Sequence, residues 1–184
     1  MIRNTRDAWG SVAKCFHWTV ALLVLAQFAL GLAAVSWRLS PLKLDLFVWH
    51  KSTGVLILVL MVLRMTWRLA NPVPDLPDAI APWERRAAHL GHFLLYAMLF
   101  AMPISGWVVN SAANIPFRIF WQVPLPGIVE PDHALARLAA RVHLALFIGL
   151  SVLLLLHVGA ALRHHLLRRN NVLTRMLPQV RGRA

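Results

Sequence analysis

Nine histidines are the most informative residues of this chain, because most of them lie inside or beside long apolar blocks. Polar side chains at membrane depth are costly and usually have a function. His143 and His157 belong to one such block and are fourteen residues apart. In an α-helix, fourteen residues return to within roughly 40° of the same face, displaced by about 21 Å. We therefore expect these two imidazoles to project from one helix face at two depths.

Two further histidines are expected at the same two depths. His50 begins the second apolar block, at the level of His143. His17 begins the first block, at the level of His157. Neutral imidazole is a strong axial ligand of haem iron, and a four-helix bundle can hold a cofactor between facing helices. The pattern predicts two six-coordinate b-type haems, one per level, although each histidine taken singly could instead make an interhelical hydrogen bond.

Four basic residues are candidates for contacts with anions near these levels. Arg64 lies near the end of the second block, where its guanidinium could pair with a haem propionate. Its alternative role is snorkelling to the membrane interface. Lys51, Arg137 and Arg141 flank the other two ligands, and they could pair with propionates or attract a small anion such as superoxide.

The remaining histidines have less specific predicted roles. His164, followed by His165 at the basic end of the fourth block, could donate a hydrogen bond and a proton to a quinone head group, or contact lipid phosphates. His89 and His92 are three residues apart on one helical face, which predicts hydrogen bonding, for example to a propionate, in preference to a metal site. His133 is expected on the surface.

The composition is that of an integral membrane protein. Of 184 residues, 59% are hydrophobic and 14% are charged, and the mean hydropathy is +0.61. Soluble domains have about a quarter of their residues charged. The formal net charge is +12, and most of the basic residues lie between the apolar blocks or at their ends. This distribution indicates charge that flanks a membrane and not a nucleic-acid partner. A single cysteine, Cys15, excludes an intrachain disulfide and a cysteine-based cluster.

Four charge-poor blocks predict an all-α fold, a four-helix transmembrane bundle in a single domain over residues 1–184. The loops are predicted from proline: residues 71–77 form a proline-rich connector, and residues 114–132 an irregular loop that could contain a short interfacial segment. Pro103 predicts a kink in the third helix. The predicted helices cover about residues 14–37, 46–69, 87–110 and 138–165.

The distribution of Lys and Arg predicts the orientation. Thirteen of them lie in the N-terminal segment, the second connector and the C-terminal tail, whereas six lie on the other side. Cytoplasmic loops carry the excess of positive charge. Both termini are therefore predicted in the cytoplasm, with His17 and His157 at the inner level and His50 and His143 at the outer level.

Several segments, taken in order, resemble the bacterial cytochrome b561 family. They are His17-Trp18, His50-Lys51-Ser52-Thr53-Gly54 with Trp67-Arg68 after it, the connector at residues 71–77, Ala88-His89-Leu90-Gly91-His92, Pro103-Ile104-Ser105-Gly106-Trp107, and the tail from His164-His165 to Leu173-Thr174-Arg175-Met176-Leu177-Pro178. The resemblance covers nearly the whole chain except the loop around residues 112–135. It implies a multi-pass protein of the bacterial inner membrane with two b haems that exchanges electrons with the quinone pool. Carried over by position, the axial ligands would be His17, His50, His143 and His157.

Three functions compete at this stage. No catalytic acid–base pair, nucleophile or phosphate-binding glycine loop is evident, so the chemistry is assigned to cofactors. Some members of the family resemble superoxide oxidases, which would make the chain an oxidoreductase that oxidises superoxide to O2 and reduces ubiquinone. The alternative is a membrane electron-carrier subunit for a dehydrogenase, a hydrogenase or another periplasmic or membrane redox protein. A histidine-containing metal transporter is ranked last, because no acidic residue lies in the middle of a block.

Overall fold

Four long helices dominate the computed structural model, which describes residues 1–75, 77 and 80–177. Each helix is long and apolar enough to cross a membrane. The predicted four-helix transmembrane fold is therefore confirmed. The helices are α1 (Ser11–Ser36), α2 (Pro41–Leu69), α3 (Pro82–Ala112) and α4 (His133–Leu166).

All four helices begin three to five residues before their predicted starts. Each first turn contains charged or polar residues, and side-chain caps precede α2 and α4. The Ser40 side chain accepts from the Lys43 backbone N–H, and Pro41 occupies the first turn of α2. Before α4, Asp132 Oδ1 accepts from the backbone N–H groups of Ala134 and Leu135 at 2.7 and 3.3 Å. Apolar composition thus locates the hydrocarbon layer, whereas capping residues mark where α2 and α4 begin.

Only helices that follow one another in the sequence lie close together. Cα atoms come within 8 Å between α1 and α2, α2 and α3, and α3 and α4, but no Cα of α4 comes that close to α1 or α2. A cleft results, and side chains meet across it. One helical turn after His143, the ring of Phe147 meets that of Phe28 edge to face at 5.0 Å between centroids. The cleft is therefore bridged by side chains, while backbone packing is confined to successive helices.

A short hairpin joins α3 to α4. Strands β1 (Arg118–Ile119) and β2 (Val123–Pro124) pair antiparallel, with Ile119 opposite Val123. Phe120 and Trp121 have φ of 47° and 63°, as in a mirror-image turn that Asn-Gly usually forms. No Asn-Gly pair indicates this turn, so the sequence analysis predicted only an irregular loop. The buried Ser52 hydroxyl accepts from the Phe120 N–H at 2.8 Å, which ties the turn to α2.

The other end of the bundle is closed by both chain termini. Asn4 Nδ2 donates to the Pro72 carbonyl at 3.1 Å, and Trp18 Nε1 donates to the Met176 carbonyl at 2.9 Å. Arg175 donates to the backbone carbonyls of Asp7 and Asp75. We call this the termini end and the opposite one the hairpin end. Leu76 of the predicted connector, and Pro178, Arg181 and Arg183 of the predicted basic tail, lie outside the described residues.

Candidate functional site

Two histidine pairs bridge the cleft, one near each end of the bundle. At the termini end, the rings of His17 on α1 and His157 on α4 have centroids 6.3 Å apart and an interplanar angle of 64°. At the hairpin end, His50 on α2 and His143 on α4 are also 6.3 Å apart, at 78°. Helix α4 thus supplies one imidazole to each pair, and both pairs lie where the backbones are separated.

The ring separation has a simple chemical interpretation. A metal–imidazole bond is about 2.0 Å and the ring centroid lies about 1.1 Å beyond the nitrogen, so two axial imidazoles on one metal have centroids about 6 Å apart. Among the described residues, no group of three or more His, Cys, Asp or Glu side chains could hold a metal ion. Each pair therefore fits a metal whose other ligands come from a macrocycle, and a bare ion would be poorly held.

Glycines lie directly against the imidazoles of the hairpin end. A Cβ on Gly31 would lie 2.9 Å from His50 Cε1, and a Cβ on Gly106 would lie 3.2 Å from His143 Cε1. The first distance is too short for any side chain without movement of the ring. Glycine thus leaves room for both rings: a Cβ at residue 31 would force His50 to move, and a Cβ at residue 106 would crowd His143.

Ser105 determines which nitrogen of His143 carries the proton. Its hydroxyl donates to the Met102 carbonyl at 2.8 Å, and it lies 2.9 Å from His143 Nδ1. Since the single hydroxyl proton is used on Met102, Nδ1–H must be the donor in the second contact. His143 Nε2 is then left with a free lone pair, which is the tautomer that an iron ligand requires.

The three basic residues predicted near the hairpin-end pair have different surroundings. Lys51 is half-buried: its Nζ donates to Asn110 Oδ1 at 2.7 Å and lies 5.4 Å from the centre of the Phe117 ring. Arg137 and Arg141 are exposed on the first turns of α4. The ammonium of Lys51 is thus held by the last turn of α3 and by Phe117 in the loop that follows it, whereas Arg137 and Arg141 are open to the surroundings.

At the termini end, charged and aromatic groups surround His17. Arg64 Nη2 lies 3.2 Å from His17 Nδ1, and Arg64 Nε donates to the Tyr96 hydroxyl at 3.0 Å. The guanidinium carbons of Arg64 and Arg68 are both 5.5 Å from the centre of the Tyr96 ring. The sequence analysis assigned no role to Tyr96, because its contacts with two arginines depend on how α2 packs against α3.

His92 approaches the same pair from α3. Its ring centroid is 5.5 Å from that of His157, at 67°, so three imidazoles meet at this end. His89, three residues earlier, is exposed. The two histidines share one face of α3, as the sequence predicted, and His92 is the one whose ring lies against His157.

The C-terminal end of α4 is fixed to the start of α3. The carboxylate of Glu84, which is buried, lies 2.8 Å from Arg163 Nη1. His164 Nδ1 lies 2.9 Å from Asn170 Nδ2, which can only donate, so the His164 proton is on Nε2. Sequence reasoning missed Glu84, because an acidic residue among flanking arginines resembles ordinary interfacial charge.

Comparison with known proteins gives one consistent result. A profile of the family described as prokaryotic cytochrome b561 matches residues 8–179. Cytochrome b561 homolog 2 of Escherichia coli (strain K12) is 34% identical over 180 residues, which is 95% of this chain and 93% of that protein. A probable superoxide oxidase, CybB, of Yersinia pestis is 31% identical over 90% of this chain and 93% of its own length.

Proposed function

The chain belongs to the prokaryotic cytochrome b561 family, and from this premise we propose that it holds two b-type haems and conducts electrons between them and the quinone pool. Membership already makes it a multi-pass bacterial membrane protein of electron transfer that binds haem b. The number of haems is our proposal. The observation that carries it is the equal 6.3 Å separation of two histidine pairs across the cleft.

The residues of each pair would hold the iron from both faces. When bound, the haem supplies the one-electron chemistry that amino-acid side chains lack. Ser105 keeps the His143 Nε2 lone pair available, as argued above. At the termini end, Arg64 donates to His17 Nδ1. Ligation through Nε2 would place the proton on Nδ1, which would end that contact and leave the guanidinium for a propionate.

The reaction that best fits the surface charges is oxidation of superoxide with reduction of ubiquinone. Two superoxide anions would each lose one electron to give O2, and one ubiquinone would take up these two electrons and two protons. Exposed Arg137 and Arg141 would attract the anion to the hairpin end. His164 Nε2–H, left free by the contact with Asn170, could donate to a quinone oxygen at the termini end. The relative named as a probable superoxide oxidase supports this choice.

The test is stopped-flow reduction of the purified, haem-loaded protein by superoxide, with and without ubiquinone. The Debye length falls from about 10 Å at 0.1 M to about 3 Å at 1 M salt, so steering by Arg137 and Arg141 should weaken as salt rises. Arg137→Gln and Arg141→Gln should slow reduction without changing the absorption bands. Arg86→Gln, an exposed arginine at the termini end, is the control and should leave the rate unchanged.

A rate that is independent of salt and equal in all three variants would exclude steered superoxide as the donor. It would favour quinol or a docked redox protein. The orientation, with both termini in the cytoplasm and the hairpin end outside, is part of this proposal and is tested by the side from which a membrane-impermeant protease cleaves residues 114–132.

A further inference from the structure

A small cavity lies beside His17 at the termini end. Its volume is about 20 Å³, which is room for roughly one water-sized group. Arg64, Trp67, Arg68 and Tyr96 form its helical wall. Asn4 and Met176, from the two chain ends, also line it. Two arginines and a tryptophan thus face a space that the termini cover.

The side chains that line this cavity offer more hydrogen-bond donors than acceptors. Trp67 Nε1 is buried and has no partner within the described chain, and an indole N–H can only donate. Arg64 and Arg68 can also only donate. The Tyr96 oxygen already accepts from Arg64.

Asn4, the one amide on the wall, has both ends of its side chain occupied. Its Oδ1 accepts from the Gly10 N–H at 2.9 Å and its Nδ2 donates to the Pro72 carbonyl at 3.1 Å. No acidic side chain is among the residues that line the cavity. A buried donor without a partner is unfavourable, so the site is built for an acceptor that the described part of the chain does not itself provide.

The nature of that acceptor follows from charge and position. Two guanidinium groups select an anion, and the cavity has room for about one oxygen of a carboxylate. The same Arg64 that lines the cavity lies 3.2 Å from His17 Nδ1, so the cavity adjoins the proposed haem position. Asn4 and Met176 cover the space on the side of the termini, which favours an anion that comes from within the bundle over a lipid phosphate.

We propose that Trp67 Nε1–H and the guanidinium of Arg68, together with Arg64, bind a propionate of the termini-end haem. The inference rests on the proposed function, because it requires a haem between His17 and His157. It assigns two further residues of this chain to the cofactor and gives the termini a role in closing its carboxylate site.

The experiment is a redox titration of the two-haem protein, followed by absorption, in wild type and Trp67→Phe. Loss of the N–H leaves more negative charge on the propionate, which stabilises the ferric form, so the midpoint potential of the termini-end haem should fall. The hairpin-end haem should not move. Arg68→Gln should shift the same haem further in the same direction. Trp83→Phe, a tryptophan at the same end whose side chain is 66% exposed, is the matched control and should shift neither haem.

A second measurement identifies the carboxylate directly. In protein reconstituted with haem whose propionates are methyl esters, Trp67→Phe should no longer change the potential, because the anion is gone. A shift that persists with the ester, or that appears only with anionic phospholipid vesicles and not in lipid-free detergent, would assign the site to a lipid phosphate and overturn the inference. If Trp67→Phe binds two haems and neither midpoint potential shifts, or both shift equally, the inference is overturned and the proposed function is left intact. A protein without haem at His17 and His157 would instead overturn the proposed function.

Discussion

The two ends of the bundle hold their histidines at the same 6.3 Å separation by different means. At the hairpin end, close packing positions the rings: Gly31 and Gly106 lie against them, and Ser105 fixes a tautomer. At the termini end, donors surround the pair: Arg64 contacts His17 and shares Tyr96 with Arg68. Close packing and one hydrogen bond thus contact the rings at the hairpin end, whereas a guanidinium contacts a ring at the termini end, so the two ends should respond to different substitutions.

The largest expected effect is loss of a whole cofactor from one end. His50→Ala and His143→Ala should each remove the hairpin-end haem and leave spectroscopic signs of the other, because we propose that each pair holds the iron of one haem. His17→Ala and His157→Ala should do the reverse. The haem content measured by pyridine haemochromogen assay should fall from two per chain in the wild type to one in every variant. Loss of the same haem in His50→Ala and His17→Ala would contradict the division into two ends.

The next largest effect tests the close packing against His50 at the hairpin end. In Gly31→Ala the added Cβ would lie 2.9 Å from His50 Cε1, so the ring must move. Overpacking of this kind costs about 1–3 kcal/mol, which corresponds to roughly 5- to 150-fold weaker haem binding at the hairpin end. Gly91→Ala is the matched control, since nothing lies within 4 Å of a Cβ there. Equal haem retention in the two variants would show that the packing against His50 is not limiting.

Removal of a charge should act at the opposite end. Arg64→Gln should lower the midpoint potential of the termini-end haem, because a nearby cation favours the reduced form. At an effective dielectric constant of about 20 and a distance of about 8 Å, one charge contributes about 2 kcal/mol, or roughly 90 mV. Arg64→Lys keeps the charge and should recover most of the potential. If the midpoint potential of the hairpin-end haem shifted as much as that of the termini-end haem, the effect of Arg64 would not be local.

The smallest effect concerns the hairpin. Ser52→Ala removes the acceptor for the Phe120 N–H and should destabilise the turn by about 1 kcal/mol. Limited proteolysis within residues 114–132 should become several-fold faster, with both haems retained. Ser151→Ala is the control, because that hydroxyl bonds only to the Phe147 carbonyl one turn earlier in its own helix. Unchanged cleavage would mean that the aromatic contacts of Trp49 with Phe120 and Trp121 hold the turn without Ser52.

The sequence predicted the features that depend on composition and helix periodicity. Hydropathy identified the four helices, and a fourteen-residue interval placed His143 and His157 on one face of α4. The donors around Tyr96, the proton on His143 and the left-handed turn at Phe120 were not predictable. Each of them depends on contacts between residues that are distant in sequence, such as Ser105 with His143 or Ser52 with Phe120. Periodicity gives the direction of a side chain from its helix, but the partner that it meets is a property of packing.

The cleft between α4 and the first two helices has a consequence for biosynthesis. Since no Cα of α4 approaches α1 or α2 within 8 Å, backbone packing joins α4 to these two helices only through α3, and it does not depend on a group held in the cleft. Newly inserted chains can therefore assemble all four helices first, as membrane helices generally do, and receive a flat cofactor laterally from the bilayer afterwards. We expect haem loading to be a late step that requires no helix to leave its neighbour. Cells short of haem would then accumulate an inserted, protease-resistant precursor instead of a degraded one.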